Sequence, residues 1–341
     1  MSKNHYIIPV FISHEGCPHQ CVFCNQDKIA GKYEETTAKD VEKLIDDYLE
    51  TINGNATIEV SFFGGTFTAI AESKQRELLG VAKKYKEDGL IDYIRLSTRP
   101  DAILPYILNY LKEYKVDIIE LGVQSLDDEV LKLSGRGHSV KDVEIASRLI
   151  KEWGFTLGHQ IMPGLPGDSF EKDIETTKKS ISMKPDICRI YPSLVIKETP
   201  MEIMYNRGEY IPYTLDEAIN ISGEMLKLYK EAKVKVIRIG LQPTETITTG
   251  KDIVAGPFHP AFRELVEGNL ICNELKTIEE DKDILIEINP KTISKLYTNK
   301  KQYFNKFKSN RSGKVYVKVN NKIKLNKIKV IIIESVKEFK L

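Results

Sequence analysis

"HEGCPHQCVFCNQ", residues 14–26, sets Cys17, Cys21 and Cys24 within eight positions, just after the apolar run "YIIPVFI" that starts at Tyr6. Only two other cysteines occur in the 341-residue chain. A C-x-x-x-C-x-x-C loop can present three thiolates to one soft-metal centre, and both zinc and an iron–sulfur cluster suit it. Structural zinc takes four closed ligands, which His14 or His19 could complete. A three-cysteine cluster instead leaves one iron open to a cofactor or substrate. Either way the loop hangs from the carboxyl end of a strand, where barrel active sites gather.

Outward from this loop, strands and helices alternate. Strands are expected at "YIIPVFI", "TIEVSFF" from Thr57, "YIRLST" from Tyr93, "DIIELGV" from Asp117, "FTLGHQIM" from Phe155 and "ICRIY" from Ile187, with "VKVIRI" from Val234 as a seventh. Val41, Leu44, Ile45, Tyr48, Leu49 and Ile52 recur at helical spacing. Further helices are expected near 73–88, 102–114, 140–152, 170–182 and 216–231. Such alternation implies a parallel sheet with helices packed outside it. Polar residues cluster at the strand carboxyl ends, which favours an α/β partial TIM-type barrel of about six parallel βα units over an open doubly wound sheet.

Residues 1–240 are thus expected to form the barrel and 241–341 a small basic α+β carboxyl-terminal extension. "QPTETITTGKDIVAGPFHPAF" reads as loop and crossing segment, and "KVYVKVNNKIKLNKIKVIII" as a β-hairpin turning at Asn320 and Asn321. The formal charge of +1 hides an asymmetry. Residues 291–341 hold 15 Lys+Arg against 2 Asp+Glu, a net +13, leaving −12 on residues 1–290. A basic tail interleaved with Tyr297, Tyr303, Phe304, Phe307 and Tyr316 points to a polyanionic partner. The apolar runs are too short for a membrane span and no secretory leader is visible, so a cytoplasmic location with reduced thiols is expected. Cys188 reads as a core residue, and Cys272 is not assigned to a second site.

The C-x-x-x-C-x-aromatic-C form, with Phe23 before Cys24, resembles the signature of radical S-adenosylmethionine enzymes. That resemblance implies a 4Fe-4S cluster on Cys17, Cys21 and Cys24, with S-adenosylmethionine on the open iron and Phe23 beside its adenine. It implies cleavage of the sulfonium to a 5′-deoxyadenosyl radical, fed by an electron donor such as ferredoxin or flavodoxin. "FFGGTFTAI" supplies Gly64, Gly65 and Thr66, similar to the segment that receives the methionine amino group. "GVQS", "GRGH" and "MPGLPG" resemble both the Elongator catalytic subunit and oxygen-independent coproporphyrinogen oxidase. By that likeness Gln124 and Arg136 contact the ribose or carboxylate, while Ser97, Gln160 and Met162 line the nucleoside.

"RIYPSLVIKETP", residues 189–200, looks most like the Elongator subunit, which makes Tyr191 and Lys197 candidates on the substrate side. The likeness covers roughly residues 7–240. Here the cysteine loop is shorter than in that subunit, and the tail shows no recognisable acetyl-CoA phosphate loop. RNA modification, of tRNA in particular, is the expected function. The alternatives are a radical enzyme acting on a small molecule such as a tetrapyrrole, and a zinc-stapled nucleic-acid-binding protein without catalysis.

Overall fold

The computed structural model describes residues 5–12, 15–25, 35–52, 54, 56–243, 248, 250–325 and 327–333. Two compact units result, one of residues 1–221 with 225–260 and one of residues 222–224 with 261–341.

In the first unit, β1 (His5–Ile12) leads to α1 (Ala38–Thr51), which begins at a capping box between Thr37 and Asp40. The chain continues through β2 (Thr57–Gly64), α2 (Glu72–Glu87), β3 (Tyr93–Thr98), α3 (Pro105–Glu113), β4 (Ile118–Gln124), α4 (Asp128–Leu133) and α5 (Val140–Glu152). It goes on through β5 (Thr156–Ile161), α6 (Phe170–Ser182), β6 (Ile187–Ile190), β7 (Val195–Ile196), α7 (Pro200–Asn206), α8 (Leu215–Glu231), β8 (Lys235–Ile239) and β9 (Ile253–Ala255). The sheet order β1-β2-β3-β4-β5-β6-β8 is parallel throughout, giving seven strands in a curled half-barrel. The expected helices lie within a few residues of their places, and the seventh strand is present. β7 and β9 form a separate antiparallel ribbon, so part of the segment read as loop is strand.

Alternation along the strands divides the sheet into two faces. Ile8, Val10, Val60, Phe62, Ile94, Leu96, Ile119, Leu121, Leu157 and Ile190 are buried on the helix-facing side. Burying each contributes about 1.5–3 kcal/mol relative to exposure. His159 also sits in this row, fully enclosed between Ser147 and Ser180, whose hydroxyls lie 2.9 Å from its ring nitrogens. Burial pushes its pKa down to about 3, so it packs as a neutral ring. Cys188 is a core residue, its thiol pushed up to about 12 by burial.

The second unit contains α9 (Phe262–Leu275), β10 (Asp283–Ile288), α10 (Ile293–Leu296), α11 (Gln302–Ser309), β11 (Val315–Val319) and β12 (Ile328–Ile333). Its sheet order is β11-β10-β12, with β11 parallel and β12 antiparallel to β10. The expected hairpin at Asn320 and Asn321 is therefore corrected: β11 and β12 do not pair, because β10 stands between them. The reason is hydrophobic. Ile284, Ile286 and Ile288 of β10 are at most 1% exposed, whereas β11 and β12 hold no fully buried residue and carry one exposed lysine each, Lys318 and Lys329, which suits sheet edges. Cys272 packs in this core with Leu275, Phe304 and Phe307.

Candidate active site

The three cysteines follow β1 on a loop held from three sides. At the end of β2, Gly65 N–H donates to Ile12 O at 2.6 Å and Thr66 N–H to Glu15 O at 2.9 Å. The contact is backbone on backbone. A Cβ on Gly65 would meet Glu15 O at 2.0 Å, and one on Gly64, whose φ is +107°, would meet Ile12 O at 2.6 Å. Thr66 is 1% exposed, with its Oγ1 3.3 Å from Cys17 Sγ. Glycine here is a steric requirement for seating the loop. Gly65→Ala is therefore expected to displace the loop, lowering the thermal midpoint and the iron retained after anaerobic reconstitution. Wild-type iron content in that variant would disprove the close approach.

On the second side the turn after α4 meets the loop. Val22 N–H donates to Ser134 O at 3.0 Å, and Arg136 Nη1 donates to Cys21 Sγ at 3.1 Å while its Nη2 donates to Gly122 O at 2.6 Å. A permanent cation thus lies against one sulfur and would offset the charge of a thiolate ligand. The neighbouring His138 is buried, and burial with repulsion from Arg136 and Arg99 pushes its pKa down to about 3. On the third side, Met201 N–H donates to Val22 O at 2.8 Å and Asn25 Nδ2 to Lys197 O at 3.2 Å. Phe23, 9% exposed, packs in a cluster with Leu165, Val195, Met201 and Tyr210, and Met162 joins its edge.

The remaining candidates sit on the sheet face opposite the helices. Gln160 Nε2 donates to Gln124 Oε1 at 3.4 Å, and Met162 N–H donates to Gln124 O at 2.8 Å. Gln124 has φ of +67° at a register shift ending β4, a strained backbone of the kind that concentrates at ligand sites. Ser97 aligns with Glu120 across β3 and β4. Tyr191 follows β6, and its hydroxyl accepts from Arg189 Nη1 at 3.2 Å. Burial raises the Tyr191 phenol above its ordinary range, with the Arg189 cation opposing. Lys197 is placed differently. It is exposed in the turn just after β7, its N–H donating to Asp252 O at 2.9 Å.

Sequence reading passed over a buried ion lattice on the same face. Arg95 Nε lies 2.8 Å from Glu59 Oε1, Arg95 Nη1 3.3 Å from Glu120 Oε2, and Arg189 Nε 3.0 Å from Glu120 Oε2. The two Nε atoms approach their carboxylates off the N–H direction, so they make ion pairs without hydrogen bonds. Ser61 Oγ donates to Glu59 Oε1 at 2.5 Å. Burial opposes the Arg189 charge, but Glu120 and Tyr191 outweigh it and raise its pKa. A single charged residue in the middle of each apolar strand, in "TIEVSFF", "YIRLST", "DIIELGV" and "ICRIY", was the available signal.

The residues present fit a cluster with a polar nucleoside. Among the described residues no three His, Cys, Asp or Glu side chains gather where one metal ion would sit. His14 lies outside the described residues. Ser97 Oγ, Glu120 Oε1 and Arg136 Nε are buried without hydrogen-bond partners. Each such orphan costs about 1–3 kcal/mol until a polar ligand satisfies it.

A parallel half-barrel with a three-cysteine loop at its strand carboxyl ends defines a radical enzyme of the S-adenosylmethionine-dependent class. Residues 11–181 match the radical SAM superfamily and 185–271 the Radical_SAM C-terminal domain. The chain belongs to that superfamily, whose members hold a 4Fe-4S cluster and S-adenosylmethionine. A tRNA uridine(34) acetyltransferase of Methanocaldococcus infernus is 32% identical over 255 residues, covering 63% of this chain and 48% of that protein. Elongator complex protein 3 of Bos taurus is 28% identical over 268 residues, covering 65% and 49%. The solved structure of the M. infernus Elp3 with an N-terminal deletion superposes with a TM-score of 0.66 at 26% identity, covering 81% of this chain and 64% of that one. Streptococcus suis SuiB bound to S-adenosylmethionine shares the fold, with a TM-score of 0.51 at 17% identity, covering 69% and 50%. The chain spans about half the length of the curated relatives it matches. Among the described residues no helix is long and apolar enough to cross a membrane.

Proposed function

We propose that this chain modifies RNA, with tRNA as substrate, by radical chemistry at the concave end of the half-barrel. The observation that carries the radical reading is the cysteine loop clamped between Gly64-Gly65-Thr66 and Arg136, beside a face bearing orphaned polar groups. The tRNA reading is supported by the relatives named as tRNA uridine acetyltransferases and by the +13 carried by residues 291–341.

Cys17, Cys21 and Cys24 would hold the cluster. Bound cofactors would supply a 5′-deoxyadenosyl radical by one-electron cleavage of the sulfonium. In this proposal the backbone of Gly64, Gly65 and Thr66 receives the methionine amino group, Gln124 and Arg136 orient ribose and carboxylate, and Ser97, Gln160 and Met162 line the nucleoside beside Phe23. Of these groups Phe23, Thr66, Gln124 and Arg136 are buried, and their enclosure would limit water at the reacting centre. Tyr191, anchored to Arg189, faces the substrate side, and exposed Lys197 meets the substrate's outer part. The reading includes a reductant such as ferredoxin or flavodoxin and a cytoplasmic location.

The test is anaerobic turnover with bulk tRNA. Addition of tRNA is expected to raise 5′-deoxyadenosine release severalfold and to produce a nucleoside of altered mass in the digested RNA. Release that is indifferent to tRNA, with unaltered nucleosides, would refute the RNA assignment while leaving the cofactor chemistry standing.

A further inference from the structure

Helices pack against one face of the second unit's sheet, and alternate residues of its strands compose the other. Leu285 stands in register between Tyr316 and Ile331, and Glu287 between Lys318 and Lys329. Tyr316 is 41% exposed, and the lysine side chains are 65% and 60% exposed. Glu287 lies 3.8 Å from Lys318 Nζ and 3.9 Å from Lys329 Nζ. One carboxylate thus faces two ammonium groups, and the row keeps a net positive charge. From residue 291 to 333 the chain has 13 Lys+Arg and no Asp or Glu. Residues 272–341 lie beyond both family matches, so the family does not account for this face.

We propose that this sheet face binds an unpaired segment of RNA, with the Tyr316 ring stacked on a base and Lys318 and Lys329 on neighbouring phosphates. Charge complementarity selects a polyanion, and the aromatic ring selects its form. A duplex keeps its bases stacked inside, so a ring projecting from a sheet finds a partner only where bases are splayed out. Strands about 4.8 Å apart put the two lysines roughly 10 Å apart across β10, with Tyr316 two residues along the strand from Lys318. This inference rests on the RNA reading proposed above and assigns that reading a surface.

The experiment is a titration of the full chain with bulk tRNA and with an unstructured oligoribonucleotide, alone and in competition with the same strand annealed to its complement, followed by fluorescence anisotropy at several salt concentrations. Tyr316→Ala is expected to weaken oligonucleotide binding about tenfold, and Tyr316→Phe to restore it. The double variant Lys318→Ala/Lys329→Ala is expected to flatten the slope of log affinity against log salt by about 1.4. Lys84→Ala/Lys141→Ala, with the same charge change elsewhere, is expected to leave both unchanged. Circular dichroism and the thermal midpoint report whether each variant is folded. Equal competition by a duplex, equal weakening by the control pair, or wild-type binding by Tyr316→Ala would overturn the proposal. A wild-type chain that binds no RNA at low salt removes the RNA reading itself, whereas a wild type that binds together with unaffected variants removes this face alone.

Discussion

Cys21→Ala is expected to leave the anaerobically reconstituted protein without stoichiometric iron and sulfide, and its 5′-deoxyadenosine production at background. Cys21 is 7% exposed, the most enclosed of the three loop cysteines. Its sulfur accepts the Arg136 hydrogen bond, while the loop backbone around it is tied to Ser134 and Met201. Two remaining thiolates cannot anchor three corners of a cubane, and the walls that hold the loop leave little room for a substitute ligand to move in. Analysis of iron and sulfide makes the result readable even where the reductant is limiting. Wild-type iron content in this variant, or persistent 5′-deoxyadenosine, would disprove the assignment of the loop as the cluster site.

Glu120→Ala is expected to cost about 3–5 kcal/mol of stability, because it strands charge in a buried setting. Glu120 faces Arg95 at 3.3 Å and Arg189 at 3.0 Å, and its side chain is 2% exposed. Arg95 keeps Glu59 as a counter-ion, whereas Arg189 keeps two uncharged partners, the Tyr191 hydroxyl and the Phe63 ring 4.9 Å away. A loss of this size is a large fraction of a typical 5–15 kcal/mol folding stability. Urea denaturation reads it as a lower midpoint at unchanged slope. A change below about 0.5 kcal/mol, the range of ordinary surface substitutions, would show that the lattice is not needed to balance charge. The lattice also orders the Arg189–Tyr191 contact, so loosening it should disturb the end of the sheet where the substrate side is proposed.

The two faces of the sheet were readable because parallel strands alternate. Ser97, Gln160 and Tyr191 fall at strand ends with the parity that sends them away from the helices, and the apolar residues between them mark the helix-facing row. The ion lattice obeyed the same parity and was overlooked, since one charge in an apolar strand looks like an isolated exception until neighbouring strands are laid in register. The hairpin misreading has a related cause. "KVYVKV" and "KVIII" are adjacent in sequence with turn residues between them, and nothing local reveals that "DILIEI", some thirty residues earlier, is apolar enough to take the central place. Tyr191 and Lys197 share one motif, but β6 of the large sheet ends at Ile190 and Lys197 follows β7 of the ribbon.

The cysteine spacing and the strand–helix alternation are local properties, so the sequence alone determined the fold class and the place of the three-cysteine loop after the first strand. Only the tertiary structure decided which groups meet: Arg136 with Cys21, Gly65 with Glu15, Gln160 with Gln124, and the pairing of Glu120 with two arginines from different strands. Those contacts join residues far apart in the chain, and their energies depend on burial and direction, which appear only once the strands are in register and water has been excluded.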